Sequence, residues 1–84
     1  MQGASKTLAE LNRAIEQNPD DTRVIAQRGE IYRQMEQFEK AKSDFNRAIE
    51  LNPNYAWAYA RRGETYVKMK RFQEALSDFN RAIA

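Results

Sequence analysis

The sequence contains no cysteine and no histidine among its 84 residues. Without cysteine, the chain has no disulfide bonds, no thiolate metal ligands and no cysteine nucleophile. Without histidine, it lacks the side chain that most often acts as a general base near neutral pH and that most often binds zinc. We therefore expect no catalytic residues, no metal site and no cofactor, and a protein that is not an enzyme.

Long apolar runs are also missing, since no segment approaches the roughly 20 consecutive apolar residues of a membrane-spanning helix. The first ten residues, MQGASKTLAE, lack the apolar core of a secretory signal. These features predict a cytoplasmic protein that makes no membrane contact. Fourteen basic and twelve acidic residues give a net charge of +2, and the two signs are interleaved. Such interleaving is typical of a solvated helical surface rather than of a phosphate-binding stripe.

In place of these features the sequence has an internal repeat. The heptapeptide SDFNRAI occupies residues 43–49 and again residues 77–83, and a shorter copy, LNRAI, occupies residues 11–15. The copies are 34 residues apart, as are Pro19 and Pro53. A fixed period of this length is typical of a solenoid, which stacks one supersecondary unit on the next. The length of the chain allows one small domain.

Apolar residues at helical spacing, interrupted near the two prolines, predict five helices. We place them at residues 5–17, 22–34, 38–51, 55–69 and 72–84. The connections are short, so that neighbouring helices should form antiparallel hairpins. Asp20 or Asp21 and Asn54, which follow the prolines, are the expected N-caps of the second and fourth helices. The predicted fold class is all-α.

Two glycines lie inside predicted helices, where each costs about 1 kcal/mol relative to alanine. Gly29 and Gly63 are separated by the same period. We expect them to allow close packing against small residues of the partner helix, such as Ala41 and Ala48. The alternative is a flexible hinge in each helix.

The heptapeptide itself is expected to serve chiefly the architecture. Its phenylalanine, alanine and isoleucine should face inward, while its serine and asparagine face solvent. Asp44 and Arg47, like Asp78 and Arg81, are three residues apart and should pair on the helix surface.

The residues that recur at this period resemble the tetratricopeptide repeat (TPR) family, whose units follow a fixed order of aromatic, glycine, alanine and closing proline residues. The first complete unit has Ile25, in place of the family's common tryptophan, followed by Gly29, Tyr32, Ala41, Phe45, Ala48 and Pro53. The second carries them as Tyr59, Gly63, Tyr66, Ala75, Phe79 and Ala82. Arg28 and Arg62 stand where the family often has leucine, and we expect their aliphatic stems to cover apolar surface while the charge reaches water.

The resemblance implies an α-solenoid of about two and a half repeats. Residues 1–21 would form the second half of one repeat, residues 22–55 a complete repeat, and residues 56–84 a repeat that lacks its C-terminal end. Because a repeat does not bury its own apolar face alone, the end helices would be incompletely covered. The chain would then be either a piece of a longer array or a protein whose ends meet copies of themselves.

The resemblance also implies a protein-interaction module or scaffold, because in this family the first helix of each pair lines a concave groove that binds a peptide or partner protein. The groove residues carried over to this chain are Arg23, Gln27, Glu30, Arg33, Trp57, Arg61, Glu64 and Lys68. An aromatic anchor near arginines, such as Trp57, is typical of binding hot spots. The alternative is that Trp57 only shields a junction between repeats. Some family members hold a chaperone C-terminal carboxylate with lysine and asparagine. Alanine and glutamate stand at those places here, so we expect that clamp to be absent.

Two other functions remain to be weighed against groove binding. The first is self-assembly through the apolar residues of the end helices, Leu8, Leu11, Ile15, Leu76, Phe79 and Ile83. The second is nucleic-acid binding by the segment YAWAYARR, which interleaves aromatic and basic residues. The interleaved charges favour the first over the second; a steep loss of affinity with rising salt would identify nucleic-acid binding.

Overall fold

The computed structural model describes residues 2–84, which form five α-helices and no β-strand in that range. The helices are α1 (Gln2–Gln17), α2 (Thr22–Gln34), α3 (Phe38–Leu51), α4 (Ala56–Lys68) and α5 (Phe72–Ile83). The all-α solenoid is confirmed. The bounds of α2 and α3 match the prediction to the residue, whereas α1 begins earlier than expected. No helix in residues 2–84 is long and apolar enough to cross a membrane.

The helices pack in chain order as a row of antiparallel hairpins. The two most extensive contacts join α2 to α3 and α4 to α5, while α1 packs on α2 and α3 packs on α4. A smaller contact joins α2 directly to α4. The helices α2 and α4 therefore lie side by side on one face of the molecule, which we call the groove face.

The apolar core lies where α2, α3 and α4 meet. One cluster of buried residues at this point comprises Ile25, Ala26, Ala48 and Ala58. Five larger side chains that are partly buried pack against them: Ile15, Ile49, Leu51, Tyr55 and Trp57. Three of the four central residues are alanine, so the helices approach closely and the larger side chains close the core from outside.

The helix caps differ between the two repeats because the sequences after the prolines differ. Asp21 is the N-cap of α2, where its side chain accepts a hydrogen bond from the backbone N–H of Val24 at 3.3 Å. The predicted cap at Asn54 is wrong: Tyr55 occupies the N-cap position of α4 and makes no side-chain capping bond. The N–H of Asn54 donates instead to the side chain of Asn52 at 3.2 Å.

The two helical glycines are sites of close packing, as expected, but their contact is not with alanine. A Cβ atom at Gly29 would lie 2.9 Å from Cε1 of Phe45, and one at Gly63 would lie 2.7 Å from Cε1 of Phe79. The nearest side chain is therefore a phenylalanine rather than the expected small residues Ala41 and Ala48. An aromatic ring needs more room than a methyl group, so that it approaches the backbone of the facing helix this closely only where no side chain intervenes.

The arginines beside these glycines do not extend their charge into water. Arg28 donates two hydrogen bonds to the carboxylate of Asp44, from Nε at 2.9 Å and from Nη2 at 2.8 Å. Its third nitrogen, Nη1, donates to Oδ1 of Asn12 at 3.0 Å. The hydrogen bonds to Asp44 raise the pKa of Arg28. Asp44 is only 6% exposed, and a carboxylate buried to this degree requires such a cation.

The same arrangement recurs one period later. Arg62 donates to the buried carboxylate of Asp78 at 2.8 and 2.7 Å and to Oδ1 of Asn46 at 2.8 Å. The predicted surface pairs of Asp44 with Arg47 and of Asp78 with Arg81 are therefore wrong, because both aspartates face the partner helix. Residues 16 apart in sequence form these pairs.

Candidate functional site

A shallow apolar pocket of about 350 Å³ lies on the groove face, between α1, α2 and α4. The six residues that line it are Thr7, Leu11, Gln27, Glu30, Ile31 and Trp57. Almost all of the exposed lining is apolar, and Glu30 and Gln27 contribute its polar rim. A pocket of this character accepts an apolar side chain and orients it by a few polar groups.

Trp57 belongs both to this pocket and to the junction between repeats. Its ring stacks on Tyr55 with centroids 6.1 Å apart, and it meets the ring of Phe45 in an edge-to-face arrangement at 6.3 Å. The guanidinium of Arg61 lies over the tryptophan ring, 5.2 Å from its centroid. The position of Trp57 is therefore compatible with both alternatives, a binding residue and a shield between repeats.

Four charged side chains on the groove face pair with one another. Arg33 donates to both carboxylate oxygens of Glu30, at 2.8 and 2.7 Å, and Arg61 donates to those of Glu64, at 2.9 and 3.0 Å. Nη1 of Arg33 also lies 3.8 Å from Oε1 of Glu64. We call these four residues the groove network. It joins α2 to α4 and continues through Arg61 to the ring of Trp57.

The protonation of the groove network follows from these contacts. Partial burial would by itself raise the pKa of Glu30, but hydrogen bonds from Arg33 and Gln34 and the charges of Arg33 and Arg61 together lower it. The hydrogen bond to Glu30 raises the pKa of Arg33. A general acid at neutral pH needs a raised carboxyl pKa, so the direction found for Glu30 is the wrong one.

The structure brings together six of the eight predicted groove residues. Gln27, Glu30 and Trp57 line the pocket, and Arg33, Arg61 and Glu64 complete the groove network. The remaining two, Arg23 and Lys68, are exposed and belong to neither group.

Sequence reasoning missed three pocket residues, Thr7, Leu11 and Ile31. Leu11 was assigned to an uncovered end of the solenoid, whereas in the structure it lines the pocket. Ile31 lies four residues after Gln27 and one after Glu30, and helical spacing places it on their side of α2. Thr7 had no such signal, because its position depends on how α1 packs against α2.

The apolar residues predicted at the two ends are unequally exposed. Leu76 and Ile83 of α5 are 57% and 85% exposed, whereas Phe79 is half-buried over Gly63. On α1, Leu8, Leu11 and Ile15 are all half-buried. The uncovered apolar surface is therefore concentrated on α5.

The helical hairpins, their period and the groove face define an α-solenoid repeat protein of the kind that contains protein-interaction modules. The profile of the TPR repeat family matches residues 29–70, and a second tetratricopeptide repeat profile matches residues 58–84. The chain belongs to the tetratricopeptide repeat family. No curated protein sequence matches the chain.

Many solved structures share the fold, and several contain bound peptides. The second TPR of Spaghetti (RPAP3), bound to the HSP90 peptide SRMEEVD, is 26% identical, with a TM-score of 0.91 over 95% of this chain and 74% of that one. The TPR2B-domain:pHsp70 complex of yeast Sti1 is also 26% identical, with a TM-score of 0.91, over 96% of this chain and 65% of that one.

A third similar structure, YrrB, is described as a TPR protein with an unusual peptide-binding site. It is 29% identical, with a TM-score of 0.91, and the match covers 98% of this chain and 42% of that one. This chain therefore spans between two fifths and three quarters of the length of these similar structures. Their fold and their role in binding peptides support a protein-interaction module here.

Proposed function

We propose that this chain is a non-catalytic interaction module that binds a peptide segment of a partner protein on its groove face. The observation that carries the proposal is the apolar pocket of about 350 Å³ beside Trp57. An aromatic ring with an arginine over it, next to an apolar pocket, has the composition of a binding hot spot. The pocket would hold one apolar side chain of the peptide.

The charges of the groove face affect which peptides would bind. Each arginine of the groove network pairs with a glutamate of its own helix, so these arginines offer little attraction for a partner's carboxylates. Arg23 and Lys68 are exposed and form no ion pair within residues 2–84, which leaves a modest positive charge on this face. Exposed pairs of this kind contribute about 0–1 kcal/mol, so the apolar anchor should dominate and affinity should depend weakly on salt.

The experiment fills the pocket without touching the core. Thr7 is exposed at the pocket rim, and Thr7→Phe should place a ring where the peptide side chain would lie. Ala9→Phe is the matched control, since Ala9 is exposed on the same helix and does not line the pocket. Trp57→Ala is less suitable because it would also remove the contact with Phe45.

The probe is a displayed library of random heptapeptides, with the peptide SRMEEVD as a defined comparison. Selected peptides should share an aromatic or branched aliphatic residue and lose at least about tenfold in affinity on Thr7→Phe, but not on Ala9→Phe. SRMEEVD should bind weakly, because Glu30 and Glu64 stand at the places of the chaperone clamp. Unchanged binding of selected peptides by Thr7→Phe would rule out the pocket as their site.

The second candidate function is self-association through α5. The observation that favours it is the exposure of Leu76 and Ile83. If it is correct, the mass measured by light scattering should rise over about a hundredfold increase in concentration, by mass action. Ile83→Asp should then return the chain to a single copy. A constant mass of one chain would exclude this function under those conditions.

A further inference from the structure

One arginine of the groove network binds its carboxylate differently from the other arginines. Arg61 donates to Glu64 from a single nitrogen, Nη1, which lies 2.9 and 3.0 Å from the two carboxylate oxygens. Four other arginines bind a carboxylate as a fork, with Nε and Nη2 each donating to one oxygen: Arg28, Arg33, Arg62 and Arg71. In Arg61 the edge of the guanidinium that carries Nε and Nη2 has no carboxylate on it.

This edge of Arg61 has hydrogen-bonding capacity that the chain does not use. Nε of Arg61 is buried and has no acceptor among residues 2–84. Nη2 forms no hydrogen bond with that part of the chain either. Buried polar groups in proteins are nearly always paired, because a buried donor without an acceptor loses its water and gains nothing in return. A ligand that brings an acceptor to this edge would therefore bind favourably.

The edge lies beside the pocket on the groove face. Trp57 lines that pocket, and the guanidinium of Arg61 lies over its ring, 5.2 Å from the centroid. Although Nε is buried, the side chain of Arg61 as a whole is 32% exposed. A small rotation of the guanidinium would bring the edge to the surface, and it would cost Nε no hydrogen bond. A group next to an apolar side chain in the pocket could then reach it.

Glu64 supplies an acceptor next to this donor edge. It lies between two arginines, bonded to Arg61 and with Oε1 3.8 Å from Nη1 of Arg33, and its side chain is 39% exposed. An ionised carboxylate has about four lone-pair sites, so Glu64 keeps the capacity to accept a further hydrogen bond. The Arg61–Glu64 pair therefore presents a donor and an acceptor side by side.

We propose that the Arg61–Glu64 pair recognises the side-chain amide of an asparagine or glutamine in the bound peptide, next to the apolar residue that occupies the pocket. The amide oxygen would accept from Nε and Nη2 of Arg61, and the amide nitrogen would donate to the carboxylate of Glu64. This preference rests on the proposed peptide-binding function and adds a sequence requirement to it.

The charges around the edge favour a neutral side chain over a charged one. Glu64 already balances Arg61, so a carboxylate on the free edge would be repelled by Glu64 and, across the groove network, by Glu30. A lysine or arginine of the peptide would be repelled by Arg61 and Arg33, and it would leave the donor edge without an acceptor. A side-chain amide is neutral and carries both an acceptor and a donor.

The probe is a displayed library of heptapeptides with leucine fixed at the central position and the other positions random. Peptides selected on the full chain should be enriched in asparagine or glutamine within two residues of the leucine. Two derivatives of a selected peptide replace this amide residue, one by the acid of the same shape and one by an apolar residue of similar size. Each should bind about tenfold more weakly in fluorescence anisotropy, because hydrogen bonds to charged groups are lost.

Variants of the full chain assign the preference to the pair. Arg61→Met keeps an apolar stem over Trp57 but removes the donors, so it should weaken the amide peptide about tenfold and leave the apolar derivative unaffected. Glu64→Gln removes the carboxylate that repels the acid derivative, so the preference for amide over acid should disappear or reverse. Arg71→Met is the matched control, since Arg71 forms an equivalent pair with Glu74 away from the pocket. It should leave every affinity unchanged.

Thr7→Phe distinguishes a failure of this preference from a failure of the proposed function. Peptides that lose affinity on Thr7→Phe, but show no amide preference or are unaffected by Arg61→Met, would retain the pocket and overturn the role of the pair. Absence of binding, or binding unaffected by Thr7→Phe, would overturn both. An amide preference unchanged in Glu64→Gln would also overturn the role of the pair. That preference is a ratio of two affinities in one variant, so a partial loss of folded protein does not alter it.

Discussion

The two copies of SDFNRAI have identical residues, but α3 is covered by a following helix and α5 is not. Phe45 is fully buried and Phe79 is half-buried; Ile49 is half-buried and Ile83 is 85% exposed. The aspartates do not show this difference in burial: Asp44 and Asp78 are both buried and both bonded to arginine.

This comparison separates contacts within a hairpin from contacts between hairpins. The aspartate of each copy bonds the arginine of its own hairpin, so it is buried in both. The asparagine bonds the arginine of the next hairpin, so it is engaged in α3 and exposed in α5. The phenylalanine takes part in both kinds of contact, which explains its intermediate change in burial.

The largest difference should come from removing the phenylalanine ring. Phe45→Ala should reduce the free energy of unfolding by about 4 kcal/mol, because it empties a fully buried site between Gly29 and Trp57. Phe79→Ala should reduce it by about 2 kcal/mol, since the site is open on one side. Urea denaturation monitored by circular dichroism measures both. Equal losses would contradict the conclusion that Phe45 makes contacts both within its hairpin and with the next hairpin.

Removal of the aspartate should affect the two copies equally. Asp44→Ala and Asp78→Ala should each reduce the free energy of unfolding by about 3 kcal/mol, because each leaves a largely buried arginine without its carboxylate. The same urea titration tests this, with the exposed Ser43→Ala as a control. A much smaller loss for Asp78→Ala would show that this pair depends on the next hairpin after all.

Removal of the asparagine should affect only one copy. Asn46→Ala should reduce stability by about 2 kcal/mol, since it deprives Arg62 of a charged hydrogen bond at the junction between hairpins. Asn80→Ala should change stability by less than about 0.5 kcal/mol, because this exposed side chain receives no hydrogen bond from residues 2–84. Thermal unfolding of the two variants side by side is sufficient. A similar loss in both would disprove the separation of roles.

Alanine substitution should also cost more stability at Gly29 than at Gly63, although the difference is smaller. Alanine would gain about 1 kcal/mol of helix propensity at either position. At Gly29 its Cβ would press on the confined ring of Phe45, and we expect a net loss of about 1 kcal/mol. At Gly63 the ring of Phe79 has room to move, and we expect little net change even though the contact is shorter. A more stable Gly29→Ala variant would contradict this account.

The smallest effect concerns pH and the groove network, which joins the two hairpins on the other face. Because the pKa of Glu30 is lowered in the folded state, its charge stabilises the fold above the ordinary carboxyl range near 4.5. That contribution is lost as the pH falls through the lowered value. The stability difference between the parent chain and Glu30→Gln should therefore shrink between pH 7 and pH 3. A constant difference would show that Glu30 does not act through its charge.

Local features of the sequence were sufficient to predict the helices and the family. The 34-residue period and the prolines located α2 and α3 to the residue. The cap at Asn54 was wrong because α4 begins one residue later than that cap requires, so that its N-cap is Tyr55, the equivalent of Asp21, which makes no side-chain capping bond. Spacing alone does not resolve a shift of that size.

The candidate site was only partly predictable. The position of Glu30, Arg33, Glu64 and Arg61 on one face followed from helical spacing, but their pairing across α2 and α4 required the packing of two helices. The role of Leu11 in the pocket depended on where α1 lies against α2, which no local pattern specifies.

The sequence by itself determined the repeat, its helices and the side of each helix that is apolar, because periodicity and helix-end chemistry are local properties. Only the tertiary structure decided which side chains with hydrogen-bonding capacity meet. Asp44 has Arg47 three residues away and Arg28 sixteen residues away, and it bonds the more distant one. The reason is burial: a carboxylate that faces the partner helix loses its water and must take the cation that the fold places there.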